Sequence, residues 1–185
     1  MRTPIALALS LSAALLATAC GKDAQAPPPP EDAMPATATF DDRALGVFFA
    51  APDADFALLT GEAARAVHPE AVAVLDKGAK CRGFVTVAPL GGRTLAAAAA
   101  AAKAGLGFAE PRVVQDEELL YCSKTGWRLE VWGQTAAGEP VARRLSFLVA
   151  QDRLYTVHAH AEASIHARMR RCLDRLTAAF ELTAD

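Results

Sequence analysis

Two histidines and a glutamate alternate in the stretch His158-Ala159-His160-Ala161-Glu162. On a β-strand successive side chains point to opposite faces, so His158, His160 and Glu162 would project together while Val157, Ala159 and Ala161 face a core. Imidazoles and a carboxylate suit zinc or another divalent metal, with His166 as a fourth ligand if the chain folds back. The competing reading is a solvated polar strand face, because ligands in a line cannot surround a tetrahedral ion by themselves.

The cysteines form a second reactive set. Beyond the N-terminal Cys20, the chain holds Cys81, Cys122 and Cys172, an odd number that suggests one disulfide and one buried thiol. Cys81 opens one expected strand and Cys122 ends another. If those strands are antiparallel neighbours the thiols meet at one sheet end, so Cys81–Cys122 is the expected bridge. Its loop of about 40 residues would contribute roughly 3–4 kcal/mol by the chain-entropy argument. Cys172 falls on an apolar helix face and reads as a small core residue. With no Cys-x-x-Cys pair, a thioredoxin-type motif is excluded.

Arg168, Arg171 and Arg175, with Arg170 nearby, recur at helical spacing. They form either a stripe for lipid phosphates or an acidic partner, or a solvated face paired with Asp174 and strand acids. Trp127 and Trp132 fall on opposite faces of one strand, one for the core and one free to anchor a partner. The run Asp116-Glu117-Glu118 reads as a solvated turn or edge. There is no serine elbow, no His-Glu-x-x-His and no Gly-rich phosphate loop, so the chain is not expected to be an enzyme.

These residues must be delivered and positioned. Residues 1–19 have the parts of a secretory signal, with Arg2 as the n-region charge and an apolar run from Ile5 to Leu16. That run is shorter than the roughly 20 residues a spanning helix needs. Small residues Ala17, Thr18 and Ala19 precede Cys20, and the segment resembles a bacterial lipobox. The resemblance implies a lipoprotein signal peptide, palmitate-type acylation of Cys20 and membrane anchoring. Gly21 after the Cys implies sorting to the outer membrane, facing the periplasm, with the inner membrane as the alternative. Residues 20–39 carry five prolines and form an extended tether.

Residues 40–185 suffice for one domain. Lys and Arg number 19 against 21 Asp and Glu, and Arg2 is the leader's one charge, so the mature chain is mildly acidic. That charge does not suit non-specific nucleic-acid binding.

Phe40–Pro52 reads as a first strand, Glu62–His68 as helix, and Ala71–Leu75 as helix or strand. Cys81–Leu90 alternates as a strand, after which Gly91-Gly92 turns the chain. Thr94 caps a helix over Leu95–Ala104, with Gly105 at the C′ position. Arg112–Ser123, Trp127–Gln134, Val141–Ala150 and Leu154–Ala161 are strands joined by short turns, an antiparallel meander. A final helix runs from Ser164, its cap, to Phe180, with Ile165, Met169, Cys172, Leu173 and Leu176 on its apolar face.

The stretches VTVAPLGGRTLAAAAAAAK, RRLSFLVAQDRLYTVHAHAE and RCLDRLTAAFEL resemble the Mog1/PsbP-like family over Cys81 to Leu182. Asp152–Val157 and the aromatic helix end at Phe180 match its recurrent pattern. The resemblance implies an α+β fold, a single αβ sandwich with a mainly antiparallel sheet flanked by helices. It also implies a binding or assembly factor for another envelope component, held to the membrane by its lipid. The alternative is a periplasmic lipoprotein that binds a divalent metal, zinc foremost.

Overall fold

Short connections and alternating side chains build most of this fold. The computed structural model describes residues 38–78, 80–121, 124–162 and 165–183, all within the unit Met34–Asp185. Cys20, the tether up to residue 37, Cys122 and Ser164 lie outside the described residues. The chain begins with β1 (Thr39–Asp42), β2 (Val47–Ala50), β3 (Ala57–Thr60), α1 (Gly61–Val67), β4 (Ala71–Asp76) and β5 (Cys81–Pro89). It continues through α2 (Leu95–Ala104), β6 (Ala109–Tyr121), β7 (Lys124–Gln134), β8 (Pro140–Ala150), β9 (Arg153–Glu162), α3 (His166–Ala178) and β10 (Phe180–Leu182).

Seven strands form one sheet in the order β3-β4-β5-β9-β8-β7-β6, and β1-β2-β10 form a second. Every paired neighbour is antiparallel. This is the α+β sandwich the sequence predicts. The β8–β9 turn is tight because Gln151 and Asp152 both adopt positive φ, 50° and 57°, the backbone of a two-residue hairpin. Ala71–Asp76 resolves as strand, its Ala73, Val74 and Leu75 fully buried.

Several local expectations change. The single strand expected over Phe40–Pro52 is a hairpin, turned where Asp42 Oδ1 accepts the Leu45 amide at 3.0 Å and Gly46 takes φ 68°. Thr94 caps α2 as expected, its Oγ1 accepting the Ala97 amide at 3.2 Å. Gly105 ends that helix at φ −92°, outside the left-handed region expected of a C′ glycine. Ile165 flanks α3 without a side-chain cap and is 48% exposed, so it leaves the apolar stripe it was expected to join.

The two faces of the large sheet are covered differently. On one, α3 and the small sheet bury Phe49, Tyr155, Met169, Leu173 and Leu176. Such side chains contribute roughly 1.5–3 kcal/mol each relative to exposure. Approach is close: a Cβ at Gly83 of β5 would sit 2.9 Å from Leu176 Cδ2. On the other face, α2 packs Ala98 and Ala99 onto Leu129, Val131 and Phe147, while α1 covers Ala71 and Val74.

The disulfide joins Cys81 to Cys172, not to Cys122, with Cα atoms 5.9 Å apart and a sequence separation of 91. The reason is strand order. β9, β8 and β7 intervene between β5 and β6, a lateral separation of about 19 Å at the usual strand spacing. Four antiparallel steps also leave β5 and β6 running in the same direction, so the start of one and the end of the other lie at opposite ends of the sheet. Cys172, on the buried face of α3, meets Cys81 across the helix–sheet contact instead.

Candidate functional site

Cross-strand register lines up the polar residues of β5, β9 and β8 on the face covered by α1 and α2. Phe84, His158 and Leu145 form one row, and Arg82, His160 and Arg143 the next. The helices do not meet over these rows. Between their C-terminal ends a groove of about 470 Å³ remains, walled by Val67 and His68 on one side and Leu106 on the other.

An aromatic stack runs through it. His68 lies 4.9 Å from Phe84 at 23°, and Phe84 lies 4.2 Å from His158 at 10°. His158 Nε2 approaches Thr86 Oγ1 at 3.4 Å. Burial, then the neighbouring His68 and Arg143, lower the His158 pKa to about 3, so its ring is neutral at ordinary pH. His160 contacts Glu162 through Nε2 at 2.9 Å, while its buried Nδ1 has no hydrogen-bond partner. Burial lowers its pKa and the Glu162 hydrogen bond opposes the shift.

The two arginines of the second row differ. Arg82 forks onto Asp76 at 3.0 and 3.1 Å. Arg143 lies over the Phe108 ring, 5.1 Å from its centre, with no carboxylate in ion-pair contact among the described residues. Burial lowers its pKa, and the more distant Glu162 charge acts in the opposite direction.

His158, His160 and Glu162 do share a face, but the expected metal geometry does not form. His158 is stacked on Phe84, and no three His, Cys, Asp or Glu side chains among the described residues gather closely enough to hold an ion. Alternate residues on a strand stand roughly 6.5 Å apart, too far for one metal without other elements bending in. His166 cannot help, because it packs edge-on against Trp132, 4.7 Å away, on the α3 side. The groove residues sequence reasoning missed are His68, Phe84, Arg82 and Arg143. One signal for the last was present: Arg143-Arg144 inside an apolar strand forces one charge onto each face.

On the α3 face Arg144 is closed into a charge network, while the buried Nε of its neighbour Arg128 has no hydrogen-bond partner among the described residues. Arg144 donates through Nε to Glu130 Oε2 and through Nη1 to Asp174 Oδ1, both at 2.7 Å, and Trp132 Nε1 donates to Glu130 Oε1 at 2.7 Å. Trp127 is on the opposite face, as its spacing predicts, and donates to Asp116 at 2.9 Å. Arg168, Arg171 and Arg175 border a second recess beside the disulfide.

No protein-family model matches the chain, and no curated protein matches it. Solved structures do. Cyanobacterial PsbP (CyanoP) from Synechocystis superposes with a TM-score of 0.58 at 12% identity, covering 82% of this chain and 95% of that one. The Ran-binding protein Mog1p of Saccharomyces cerevisiae gives 0.52 at 7% identity, covering 80% and 96%. LpqN, involved in cell envelope biogenesis of Mycobacterium tuberculosis, gives 0.50 at 12% identity, covering 80% and 85%. The fold is therefore Mog1/PsbP-like.

Proposed function

We propose that this chain is a lipid-anchored lipoprotein of the bacterial envelope, fixed through Cys20 to the outer membrane and facing the periplasm. There it binds another envelope component rather than transforming a substrate. The observation that carries the binding reading is Arg143: a partly buried guanidinium in a 470 Å³ groove, lying over Phe108 and with no carboxylate in ion-pair contact among the described residues. A ligand acid would complete that charge, while Phe84 and Leu106 offer apolar contact beside it. A segment of an envelope protein that presents a carboxylate next to an apolar side chain fits this chemistry.

Catalysis is a weaker fit. Among the described residues a hydroxyl approaches an imidazole at Thr86, 3.4 Å from His158, and a ring with a pKa of about 3 is a poor proton acceptor near neutrality. The leader and lipobox support the address, and the envelope role stated for LpqN is consistent with it.

Two measurements test the reading. Radiolabelled palmitate should enter the wild-type chain and not Cys20→Ala, with the label in the outer-membrane fraction. A photo-crosslinking residue at position 106 should give a discrete envelope-protein adduct that weakens with Arg143→Gln. An adduct equally strong from exposed position 96, or unaltered by Arg143→Gln, overturns the groove as the binding site.

A further inference from the structure

A second recess, of about 380 Å³, opens where α3 crosses the start of β5, and the Cys81–Cys172 disulfide forms part of its wall. Its charge is one-sided. Five cations line it, Lys77, Lys80, Arg168, Arg171 and Arg175, against the single acid Glu162. Two of the five are already engaged. Arg175 pairs with Asp53, and Lys77 with Asp55 at 2.6 Å and Asp53 at 3.6 Å. Both also lie over the Phe56 ring, at 5.6 and 5.5 Å from its centre. Glu162 is engaged by His160 at 2.9 Å.

Lys80, Arg168 and Arg171 are left with no carboxylate in ion-pair contact among the described residues, and all three are exposed. A helix ordinarily balances such a stripe with acids one turn away. The one acid in α3 is Asp174, and it is turned to Arg144 at 2.7 Å. The covalent bridge then holds the cations together. Lys80 adjoins Cys81 and Arg171 adjoins Cys172, so the disulfide keeps the hairpin cation close to the helix pair.

We infer that this recess binds a phosphate-class anion, either a free phosphate compound or the phosphate of a lipid headgroup. Two guanidinium forks and an ammonium match an oxyanion with several charged oxygens, whereas one carboxylate would occupy a single fork. The site is separate from the Arg143 groove and does not depend on the role proposed for it.

The test uses the purified full chain with its disulfide intact. Inorganic pyrophosphate is titrated by calorimetry, and sedimentation compares phosphatidylcholine vesicles with and without phosphatidate, a comparison in which the lipid anchor contributes equally. Arg168→Gln with Arg171→Gln should weaken binding by at least about tenfold, the equivalent of one lost charge-assisted hydrogen bond. Arg170→Gln, an exposed arginine of the same helix outside the recess, should leave it nearly unchanged. Pyrophosphate binding assigns a soluble ligand, and a preference for phosphatidate vesicles assigns a headgroup. Binding of neither probe, or an equal loss with Arg170→Gln, overturns the inference.

Discussion

Arg143 and Arg144 are neighbours on β8 that point to opposite faces of one sheet, and they meet opposite fates. Arg144 is 7% exposed and closed into a network with Glu130 and Asp174. Arg143 has burial and an aromatic ring but no carboxylate in ion-pair contact among the described residues. The difference follows from what covers each face. α3 brings Met169, Leu173 and Leu176 to fill space, an aspartate to close a charge and a cysteine to lock the contact. α2 brings a run of alanines, which approach a sheet closely but project too little to fill the gap beside them. Around Arg144 the charge is completed internally, whereas around Arg143 room is left for a ligand.

The largest way to break this contrast is to unlock the α3 face. Cys172→Ala should cost about 4–5 kcal/mol, since the bridge closes a 91-residue loop. Urea denaturation checks it: the midpoint should fall in the variant and in reduced wild type alike, and a midpoint unmoved by both would remove the bridge from the fold's stability.

The arginine pair gives the sharpest internal comparison. Arg144→Leu leaves the buried Glu130 carboxylate with Trp132 as its remaining hydrogen-bond donor among the described residues and should cost roughly 3–4 kcal/mol. Arg143→Leu removes a charge that no carboxylate among the described residues contacts, and should change stability by no more than about 1 kcal/mol in either direction. Equal losses in chemical denaturation would refute the division of roles.

A further effect concerns pH. His158 has a folded-state pKa of about 3, below its unfolded value of about 6.5, so the unfolded chain takes up the proton first. Its contribution is therefore fully present above about pH 6.5 and lost as the pH falls toward 3. Between pH 7 and pH 5 the loss should be on the order of 1–2 kcal/mol. His158→Phe keeps a ring against Phe84 and should flatten that part of the profile. A variant with the wild-type slope would assign the dependence elsewhere.

Much of the architecture was readable because it is local. Thr94 before the alanine run, Gly91-Gly92 before it and the two-residue turn at Gln151-Asp152 each act within a few residues. The α3 stripe is likewise a matter of period, apart from Ile165 at its exposed end. What local pattern does not carry is which strands become neighbours. β9 inserts between β5 and β8, and that single non-local choice redirects Cys81 from Cys122 to Cys172. The same insertion places His158 beside Phe84 and His160 beside Arg82, turning an expected ligand row into a stack and a charged groove. His68 was invisible for a related reason: it lies at the end of a seven-residue helix and reaches the groove only through the packing of α1 on β4. Periodicity assigned each residue to a face, while partnership depended on strands distant in sequence.

The disulfide's span has a consequence for biogenesis. Under the proposed export, a chain that emerges N-terminus first presents Cys81, then Cys122, then Cys172. An oxidant acting during translocation therefore meets the wrong pair before the native partner arrives. The early Cys81–Cys122 link would tie β5 to the far edge strand, which the finished sheet cannot accommodate. Thiolate attack by Cys172 on that link, releasing Cys122, yields the native bridge. Maturation should thus depend on a thiol-disulfide isomerase as well as an oxidase, a dependence set by the order of three cysteines along the chain.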